Sequence, residues 1–257
     1  MKIFAHRGLS ATEPENTLLA IQAAIDLNLN DIVVDGIEID IFEVEGQLVV
    51  IHDRWLQRTT SGKGLISQCS FKKLRQLDAG KGQKIPTLNE VFAILPANCI
   101  LNIEIKGVNT ISLLLACIDQ AITEHGISIQ QLLLSSFNHH QLYEISRQRP
   151  ELAIGALTDS LPLDYAKFAT HLNATSVHIS INSVNDRFVQ DAHQRGLKVF
   201  VYTVDEFEDI AMLAKIGVDG IFANNPQQAL EHFSNYQLLE CCEVSNRIDP
   251  IHGFTQN

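Results

Sequence analysis

The sequence has little of what membrane, secreted and nucleic-acid-binding proteins display. None of its apolar runs approaches the roughly 18 residues that a membrane-spanning helix needs. The segment Met1–Gly8 contains no apolar h-region, so we expect no signal peptide. Positive charge is also scarce, because 19 Lys and Arg residues stand against 30 Asp and Glu residues and leave a formal net charge of −11. An acidic surface repels polyanions, so we expect neither nucleic acid nor a membrane anchor.

Cysteine is sparse and irregularly placed. The five cysteines are odd in number, and their spacings suggest neither a disulfide framework nor a zinc site. Free thiols are typical of a reducing compartment, and we therefore expect a cytoplasmic protein. The sequence leaves a homodimer open.

The chain has 257 residues, 46% of them hydrophobic, enough for one large α/β domain whose core needs no metal or disulfide to fold. Eight β-rich runs alternate with segments of helical periodicity, which predicts a (β/α)8 TIM barrel. The doubly wound sheet is the main alternative, but the first strand–helix turn lacks the dinucleotide-binding glycine pattern. The predicted strands are Lys2–Ala5, Gly36–Ile41 with Gln47–Ile51, Ile100–Ile105, Leu132–Phe137, Ala153–Leu157, Ser176–Ile179, Lys198–Thr203 and Asp219–Ala223. The predicted helices are Pro14–Asn28, Leu88–Leu95, Thr110–His125, Asn138–Arg149, Leu163–Leu172, Asn185–Arg195, Glu206–Lys215 and Pro226–Phe233.

We assign residues 1–233 to the barrel domain and residues 234–257 to a C-terminal tail, which has no clear period and is expected to pack loosely or fray. Residues 53–86 are irregular and follow the second strand, so they are predicted to form an insertion in its connection to the next helix. Thr87 is predicted to start that helix, because Glu90 stands where a capping box requires it.

Ionisable residues stand at the ends of three consecutive predicted strands, where barrel strands should be apolar. The carboxyl ends of barrel strands form the catalytic face of this fold. Glu38 and Asp40 are two positions apart, so their side chains point to the same side, as do those of Glu104 and Lys106. The full set is His6, Arg7, Glu38, Asp40, His52, Asp53, Glu104 and Lys106.

Three carboxylates that converge on one place repel one another unless they are paired, protonated or bound to a cation. One explanation is internal ion pairing of Glu104 with Lys106 and of Asp40 with Arg7. The explanation that we favour is a hard divalent cation, Mg²⁺ or Ca²⁺, on Glu38, Asp40 and Glu104, because such ions prefer oxygen ligands.

Four further side chains suit phosphoryl chemistry. His6 and His52 are imidazoles that exchange protons near neutral pH. Arg7 and Lys106 are suited to an oxyanion such as phosphate. Together they predict metal-assisted phosphoryl transfer with an acid/base pair of imidazoles.

These residues belong to segments that resemble the glycerophosphodiester phosphodiesterase family of the bacterial cytosolic type. The match runs from about residue 2 to about residue 230, and the order and spacing of the segments make it specific. The segments are His6–Gly8, Pro14–Thr17, Glu38–Asp40, Val49–Asp53, Arg58–Gly64, Ile85–Leu88, Asn102–Lys106, Ser135–Phe137, Tyr202–Val204 and Gly217–Phe222.

The resemblance implies hydrolysis of a small-molecule glycerophosphodiester to glycerol 3-phosphate and an alcohol. It implies a divalent metal on the three carboxylates, the two imidazoles as acid and base, and the arginine and lysine near the phosphate. Glu15 is expected to orient the site, although it also suits the first turn of a helix, where a carboxylate is favourable. His52 is favoured as the acid because Asp53 adjoins it, and His6 as the base because Arg7 adjoins it.

The chain departs from the family pattern at two strand ends. Tyr202 stands where the family usually has Trp, so an aromatic wall for the glycerol end is retained with an added hydroxyl. Ala223 is followed by Asn224 where Thr is common. His178 and Ser180 share a face of their strand and are expected to line the pocket.

Two alternatives stay open. One is a phospholipase-type phosphodiesterase on the same barrel, which needs an apolar rim that the sequence does not reveal. The other is a non-catalytic barrel that binds glycerophosphodiesters, which would be expected to lack a metal ligand or a histidine. The nucleophile, water or the neighbouring glycerol hydroxyl, is not assigned by the sequence.

Overall fold

The computed structural model describes residues 1–27, 33–107 and 110–247, with side chains described as far as residue 238. Within these ranges the chain alternates between strands and helices, with two short 3₁₀ turns. The strands are β1 (Lys2–His6), β2 (Gly36–Val44), β3 (Gln47–Val50), β4 (Ile100–Ile105), β5 (Leu132–Ser136), β6 (Ala153–Thr158), β7 (Ser176–Ser180), β8 (Lys198–Tyr202) and β9 (Gly220–Ala223). The helices are α1 (Leu18–Ile25), α2 (Phe71–Leu74), α3 (Leu88–Phe92), α4 (Ile111–Glu124), α5 (His139–Gln148), α6 (Lys167–Thr170), α7 (Asp186–Gln194), α8 (Phe207–Lys215) and α9 (Pro226–Arg247).

Every strand except β3 joins a closed parallel barrel. The neighbours run β1, β9, β8, β7, β6, β5, β4 and β2, and pairing of β1 with β2 closes the ring. The predicted (β/α)8 barrel is therefore confirmed. The register sets His6 opposite Glu38, and Asp40 opposite Glu104, so the polar strand residues occupy neighbouring positions at one end of the barrel.

β3 pairs antiparallel with β2 outside the barrel. The chain turns at Glu45 and Gly46, whose φ angles of 50° and 74° suit a tight hairpin turn. Val50 then lies opposite Ile41, so the hairpin runs back toward the barrel. His52, which follows β3, reaches the carboxyl ends of the barrel strands by this return and not by continuing the second strand.

Three predicted helices are shorter than expected by more than one residue at an end, and one of them, predicted to end at Leu95, ends at Phe92. The helix predicted over residues 163–172 is confined to α6, because Tyr165 has a φ of 49°, a left-handed conformation that an α-helix does not admit. The helix predicted over residues 14–28 begins only at Leu18, because Thr17 caps it by accepting a hydrogen bond from the Ala20 N–H at 3.2 Å. Its predicted end at Asn28 lies outside the described residues.

The final helix is longer than predicted. It was expected to end at Phe233, but α9 continues to Arg247, so part of the predicted tail is helical. Residues 248–257 of that tail lie outside the described residues. In the part of the chain that the structure describes, no helix combines the length and the apolarity required to cross a bilayer.

The stretch at residues 53–86 has a small core of its own, packed on the β2–β3 hairpin. The buried apolar residues of this core come partly from the hairpin and the residues just after it, and partly from the stretch itself. They are Val44, Val49, Ile51, Leu56, Ile66, Cys69, Leu74, Ala79 and Ile85. The stretch ends at α3, where Thr87 and Glu90 form the predicted capping box. This connection therefore holds an independently packed layer beside the mouth of the barrel.

Candidate active site

A cavity of about 300 Å³ opens at the carboxyl ends of the barrel strands. It collects side chains from strands all around the ring, including most of the residues predicted for the site. The lining residues are His6, Arg7, Glu38, His52, Asn102, Glu104, Lys106, Phe137, Leu157, His178, Tyr202, Thr203 and Phe222.

The three predicted carboxylates converge beneath this cavity. One ligand oxygen from each of Glu38, Asp40 and Glu104 lies within 4.8 Å of the others, and all three residues are buried. Among the described residues, the buried Glu38 Oε1 has no hydrogen-bond donor, and the buried Asp40 Oδ1 and Glu104 Oε1 both face the single Lys106 ammonium. Buried carboxylate oxygens that share so few donors are costly, so their convergence suits a bound cation.

Ion pairing accounts for part of this charge but not for all of it. Lys106 Nζ lies 2.5 Å from Glu104 Oε1 and 3.3 Å from Asp40 Oδ1, and Arg7 Nε lies 3.3 Å from Asp40 Oδ2. Both predicted internal pairs are thus present. Two cationic side chains face three carboxylates, and among the described residues the Glu38 carboxylate accepts a hydrogen bond only from the Arg7 backbone N–H, at 3.0 Å.

The pKa values reflect this shortage of positive charge. Burial, reinforced by Asp40 and Glu104, raises the pKa of Glu38 well above its ordinary range. Burial and Asp40 raise the pKa of Glu104 to about 7. Burial also tends to raise the pKa of Asp40, but Lys106 and Arg7 outweigh it and hold that pKa below the ordinary value. A hard divalent cation would remove the repulsion, and the all-oxygen donor set fits Mg²⁺ or Ca²⁺.

His6 is held by a residue that sequence analysis did not assign to the site. Its Nδ1 lies 2.8 Å from Asn224 Oδ1, and Asn224 Nδ2 donates to Asp205 Oδ2 at 2.8 Å. An Nδ1–H that donates to Asn224 leaves Nε2 of a neutral imidazole free to accept a proton. Burial, followed by the charge of Arg7, lowers the pKa of His6 to about 4.

His52 is held by its neighbour in sequence. Its Nδ1 lies 2.6 Å from Asp53 Oδ1. Burial lowers the pKa of His52 and Lys106 adds to this, while Asp40 and the Asp53 hydrogen bond oppose it. Burial thus outweighs the effect for which Asp53 was singled out in the sequence.

Arg7 lies in a tightly specified turn after β1. Its φ of 58° is left-handed, as is the φ of 59° at Asn16, and such conformations persist only where the surroundings impose them. Arg7 NH1 donates to Glu15 Oε1 at 2.8 Å, and Asn16 Nδ2 donates to Asp40 Oδ2 at 2.8 Å. Because α1 begins at Leu18, Glu15 is not in its first turn, and its contacts are those of a residue that orients Arg7.

The opposite side of the cavity is aromatic. The ring of Tyr202 meets Phe137 edge-on, with centroids 6.1 Å apart, and its hydroxyl donates to the Thr158 carbonyl at 2.9 Å. That hydroxyl proton is therefore already engaged by the Thr158 carbonyl. His178 lines the cavity, as expected, and is fully buried, whereas Ser180 does not line it.

Several polar contributors to the site were not predicted from the sequence, and those of them that depend on contacts between distant parts of the chain were the hardest to foresee. Asn224 stands 218 positions from His6, and only the pairing of β1 with β9 brings them together. Asn102 and Glu104 are two positions apart on β4, so their side chains point to the same side. This spacing could have assigned Asn102 to the site. Arg58 lies in the quoted Arg58–Gly64 segment, but its contacts were not foreseen.

The fold and this cavity define the class of protein: an enzyme on a (β/α)8 barrel, with ionisable side chains at the carboxyl ends of its strands. The model of the glycerophosphoryl diester phosphodiesterase family matches residues 6–228. The chain belongs to this family, which confirms the resemblance, and it is an enzyme of the phosphoric diester hydrolase class.

Relatives and solved structures agree with that membership. A glycerophosphodiester phosphodiesterase of Caldanaerobacter subterraneus subsp. tengcongensis is 34% identical over 235 residues, which cover 88% of this chain and 94% of the relative. One from Bacillus altitudinis is 30% identical, covering 90% of this chain and 97% of the relative. An Oleispira antarctica phosphodiesterase, solved with the product sn-glycerol-3-phosphate, has a TM-score of 0.80 at 28% identity, covering 91% of this chain and 97% of that one.

Proposed function

We propose that this enzyme hydrolyses glycerophosphodiesters to glycerol 3-phosphate and an alcohol, in a reaction that depends on a divalent metal. The observation that supports it most is the meeting of three buried carboxylates, two imidazoles, an arginine and a lysine at one cavity. Family membership narrows the substrate to a glycerophosphodiester.

Glu38, Asp40 and Glu104 would hold the cation, Mg²⁺ or Ca²⁺. When bound, the cation supplies positive charge that stabilises the phosphoryl oxygens. Arg7 and Lys106, which line the same cavity, bind and orient the phosphate alongside it. Glu15 keeps the Arg7 guanidinium in place.

His6 is the general base in this proposal. Its low pKa keeps the imidazole neutral at pH 7, and the contact with Asn224 directs Nε2 away from that partner. It removes a proton from the nucleophile, which is either water or the glycerol hydroxyl next to the phosphate. Attack by water gives glycerol 3-phosphate directly, whereas attack by the hydroxyl expels the alcohol and forms a cyclic phosphate, which a water molecule must then open to glycerol 3-phosphate.

His52 is the general acid. With Nδ1–H donated to Asp53, its protonated ring presents Nε2–H to the departing alkoxide. The negative charge of a bound phosphodiester favours this protonated form, which burial alone disfavours. An alkoxide is a strongly basic leaving group, so it needs that proton.

The glycerol end packs against the aromatic side of the cavity. Phe137 and Tyr202 form the wall, and His178 lies on the floor between Phe200 and Phe222. These groups provide apolar contact, while polarity is concentrated on the metal side.

Domain organisation and location complete the proposal. Residues 1–233 form the catalytic domain, residues 53–86 are an insertion within it, and residues 234–257 extend from it. The free, buried thiols of Cys69 and Cys99 support a cytoplasmic location.

The test is the identity of the product. Purified protein with Mg²⁺ or Ca²⁺ is incubated with glycerophosphocholine, and products are followed by ³¹P NMR. We expect glycerol 3-phosphate and choline. Release of glycerol and phosphocholine would mean that the other P–O bond is cleaved, and no turnover would overturn the proposal.

A second candidate, cleavage of a single-chain lysophospholipid, is favoured by exposed apolar side chains in connections that follow the carboxyl ends of the barrel strands, the end at which the cavity opens. Leu161 and Leu163 are exposed by 41% and 96% in the connection after β6, and Phe137 is exposed by 45% after the adjacent β5. The sequence did not reveal this apolar rim. A higher kcat/KM on monomeric lysophosphatidylcholine than on glycerophosphocholine, lowered by Leu163→Asp, would make this candidate the main activity.

A further inference from the structure

We propose that Arg58, carried by the 53–86 insertion, is a positioning residue that holds His52 and Arg7 in their working orientations. Among the described residues, its side-chain hydrogen bonds reach neither of them. It acts through Asp53 and Glu15, the two carboxylates that bind those side chains. This inference rests on the proposed function, because His52 and Arg7 matter only if the cavity performs that reaction.

The hydrogen bonds of Arg58 divide between the two carboxylates. NH1 donates to Glu15 Oε2 at 2.7 Å, and NH2 donates to Glu15 Oε1 at 2.8 Å. Nε donates to Asp53 Oδ2 at short range, and NH2 donates to Asp53 Oδ1 at 2.9 Å. A planar guanidinium has five N–H donors in a fixed fork, so it suits two carboxylates at once in a way that an ammonium does not.

Each of the two carboxylates also contacts one of the side chains that line the cavity. Asp53 Oδ1 lies 2.6 Å from His52 Nδ1, and Glu15 Oε1 accepts from Arg7 NH1 at 2.8 Å. The contacts therefore form one chain from Arg7 through Glu15, Arg58 and Asp53 to His52. Without Arg58 the two carboxylates would repel each other with no cation between them.

The two ends of this chain do not depend on Arg58 equally. Arg7 has a second anchor, because its Nε lies 3.3 Å from Asp40. Among the described residues, His52 hydrogen-bonds through its ring only to Asp53. Loss of Arg58 should therefore disturb His52 more than phosphate binding, and lower kcat more than it raises KM.

The 48% exposure of the Arg58 side chain argues against a mainly structural role. Exposed ion pairs contribute little to stability, typically about 1 kcal/mol or less. Arg75 provides a matched comparison within the same segment. Its guanidinium binds Glu90 bidentately, at 2.6 and 2.8 Å, and donates to the Ile85 carbonyl, and none of these partners lines the cavity.

The experiment measures kcat and KM for glycerophosphocholine on the wild type, Arg58→Gln, Arg58→Lys and Arg75→Gln, with thermal melting of each. We expect Arg58→Gln to lower kcat by roughly 10–100-fold, by analogy with the range for residues that orient metal ligands, with a smaller change in KM. Arg58→Lys should recover part of the loss. Arg75→Gln should retain wild-type kcat even if it melts earlier.

A mutant cycle identifies the route. In an Asp53→Ala/Glu15→Ala background, Arg58→Gln should cause no further loss, because the oxygens that accept its hydrogen bonds are already gone. A full additional loss there, or an equal loss of kcat in Arg75→Gln, would overturn the positioning role. Wild-type kcat in Arg58→Gln would do so as well. An inactive wild type would instead refute the proposed function.

Discussion

His6 and His52 differ in what holds their Nδ1 atoms. Asn224 is a neutral partner for His6, whereas Asp53 is a charged partner for His52. A carboxylate stabilises an imidazolium better than an amide does. The partners therefore favour His52 as the acid and His6 as the base.

Replacing each histidine should reduce activity by a factor that depends differently on the leaving group of the substrate. Positioned acid–base catalysis is worth about 10²–10⁴-fold. His52→Ala should cost roughly that in kcat/KM on glycerophosphocholine and far less on a nitrophenyl diester, whose leaving group departs without a proton. His6→Ala should cost similar factors on both substrates.

His140, which is exposed at the start of α5, gives a control variant, His140→Ala, that should behave as the wild type. A reversed pattern would exchange the roles of the two histidines. Near-normal turnover of the alkyl diester by either variant would exclude the paired-imidazole mechanism.

His178 should make the protein sensitive to mild acid. Burial lowers its pKa from 6.5 to about 3, so the folded protein keeps it neutral while the unfolded chain protonates it below about pH 6.5. Its contribution to stability is complete above pH 6.5 and is lost as the pH falls toward 3. Between pH 6.5 and 5 the loss is about 2 kcal/mol at about 1.4 kcal/mol per pKa unit.

The measurement is the free energy of unfolding by urea at pH 7 and pH 5 for the wild type and His178→Gln. The wild type should lose about 2 kcal/mol more than the variant over that interval. Equal pH dependence in the two proteins would mean that His178 takes up its proton as readily in the folded state.

At the scale of elements, α3 ends the insertion and depends on its cap. Thr87 Oγ1 accepts from the Glu90 N–H at 3.3 Å, and Glu90 Oε2 accepts from the Thr87 N–H at 2.7 Å. Thr87→Ala should lower the free energy of unfolding by about 1 kcal/mol. Glu206→Ala is a control, because exposed Glu206 precedes α8 without a side-chain cap and should change stability little.

Chemical denaturation of both variants checks this, with Glu90→Ala as a second way to weaken the cap, because alanine cannot accept the hydrogen bond from the Thr87 N–H. A Thr87→Ala protein as stable as the wild type would show that tertiary packing alone holds α3.

The elements also show which parts of the account a sequence can supply. The barrel strands were predictable because strands buried on both faces form apolar runs, and Glu38, Asp40 and Glu104 interrupt those runs visibly. The prediction of one helix over residues 163–172 was wrong, because hydrophobic periodicity does not reveal that Tyr165 has a left-handed φ.

Contacts between elements were harder to predict from the sequence. His52 lies at the site because a two-residue turn reverses the chain between β2 and β3. The pattern of apolar residues in the two strands does not show this reversal. The Asn224–His6 contact needs closure of the barrel by β1 and β9. The contact between Arg58 and Glu15 needs the insertion to fold over the first strand–helix connection. In each case the signal lies in three-dimensional placement of ordinary polar residues.

At the scale of the whole molecule, we expect the stability of the fold to be independent of whether the site holds a cation. The main apolar core lies around the barrel wall and under the helices, while the carboxylates gather at one end of the ring. A core of this size does not need a cation to fold. Glu104→Gln should therefore raise the Mg²⁺ or Ca²⁺ concentration needed for half-maximal activity and leave cooperative unfolding intact.

The most direct test of the central claim is turnover of glycerophosphocholine by metal-stripped protein, before and after Mg²⁺ or Ca²⁺ is restored, with thermal unfolding followed on the same samples. The account predicts that chelation abolishes release of glycerol 3-phosphate, that the cation restores it, and that the stripped protein still unfolds cooperatively. Full turnover after chelation would contradict the metal assignment. Unfolding on chelation would contradict the separation of fold from site.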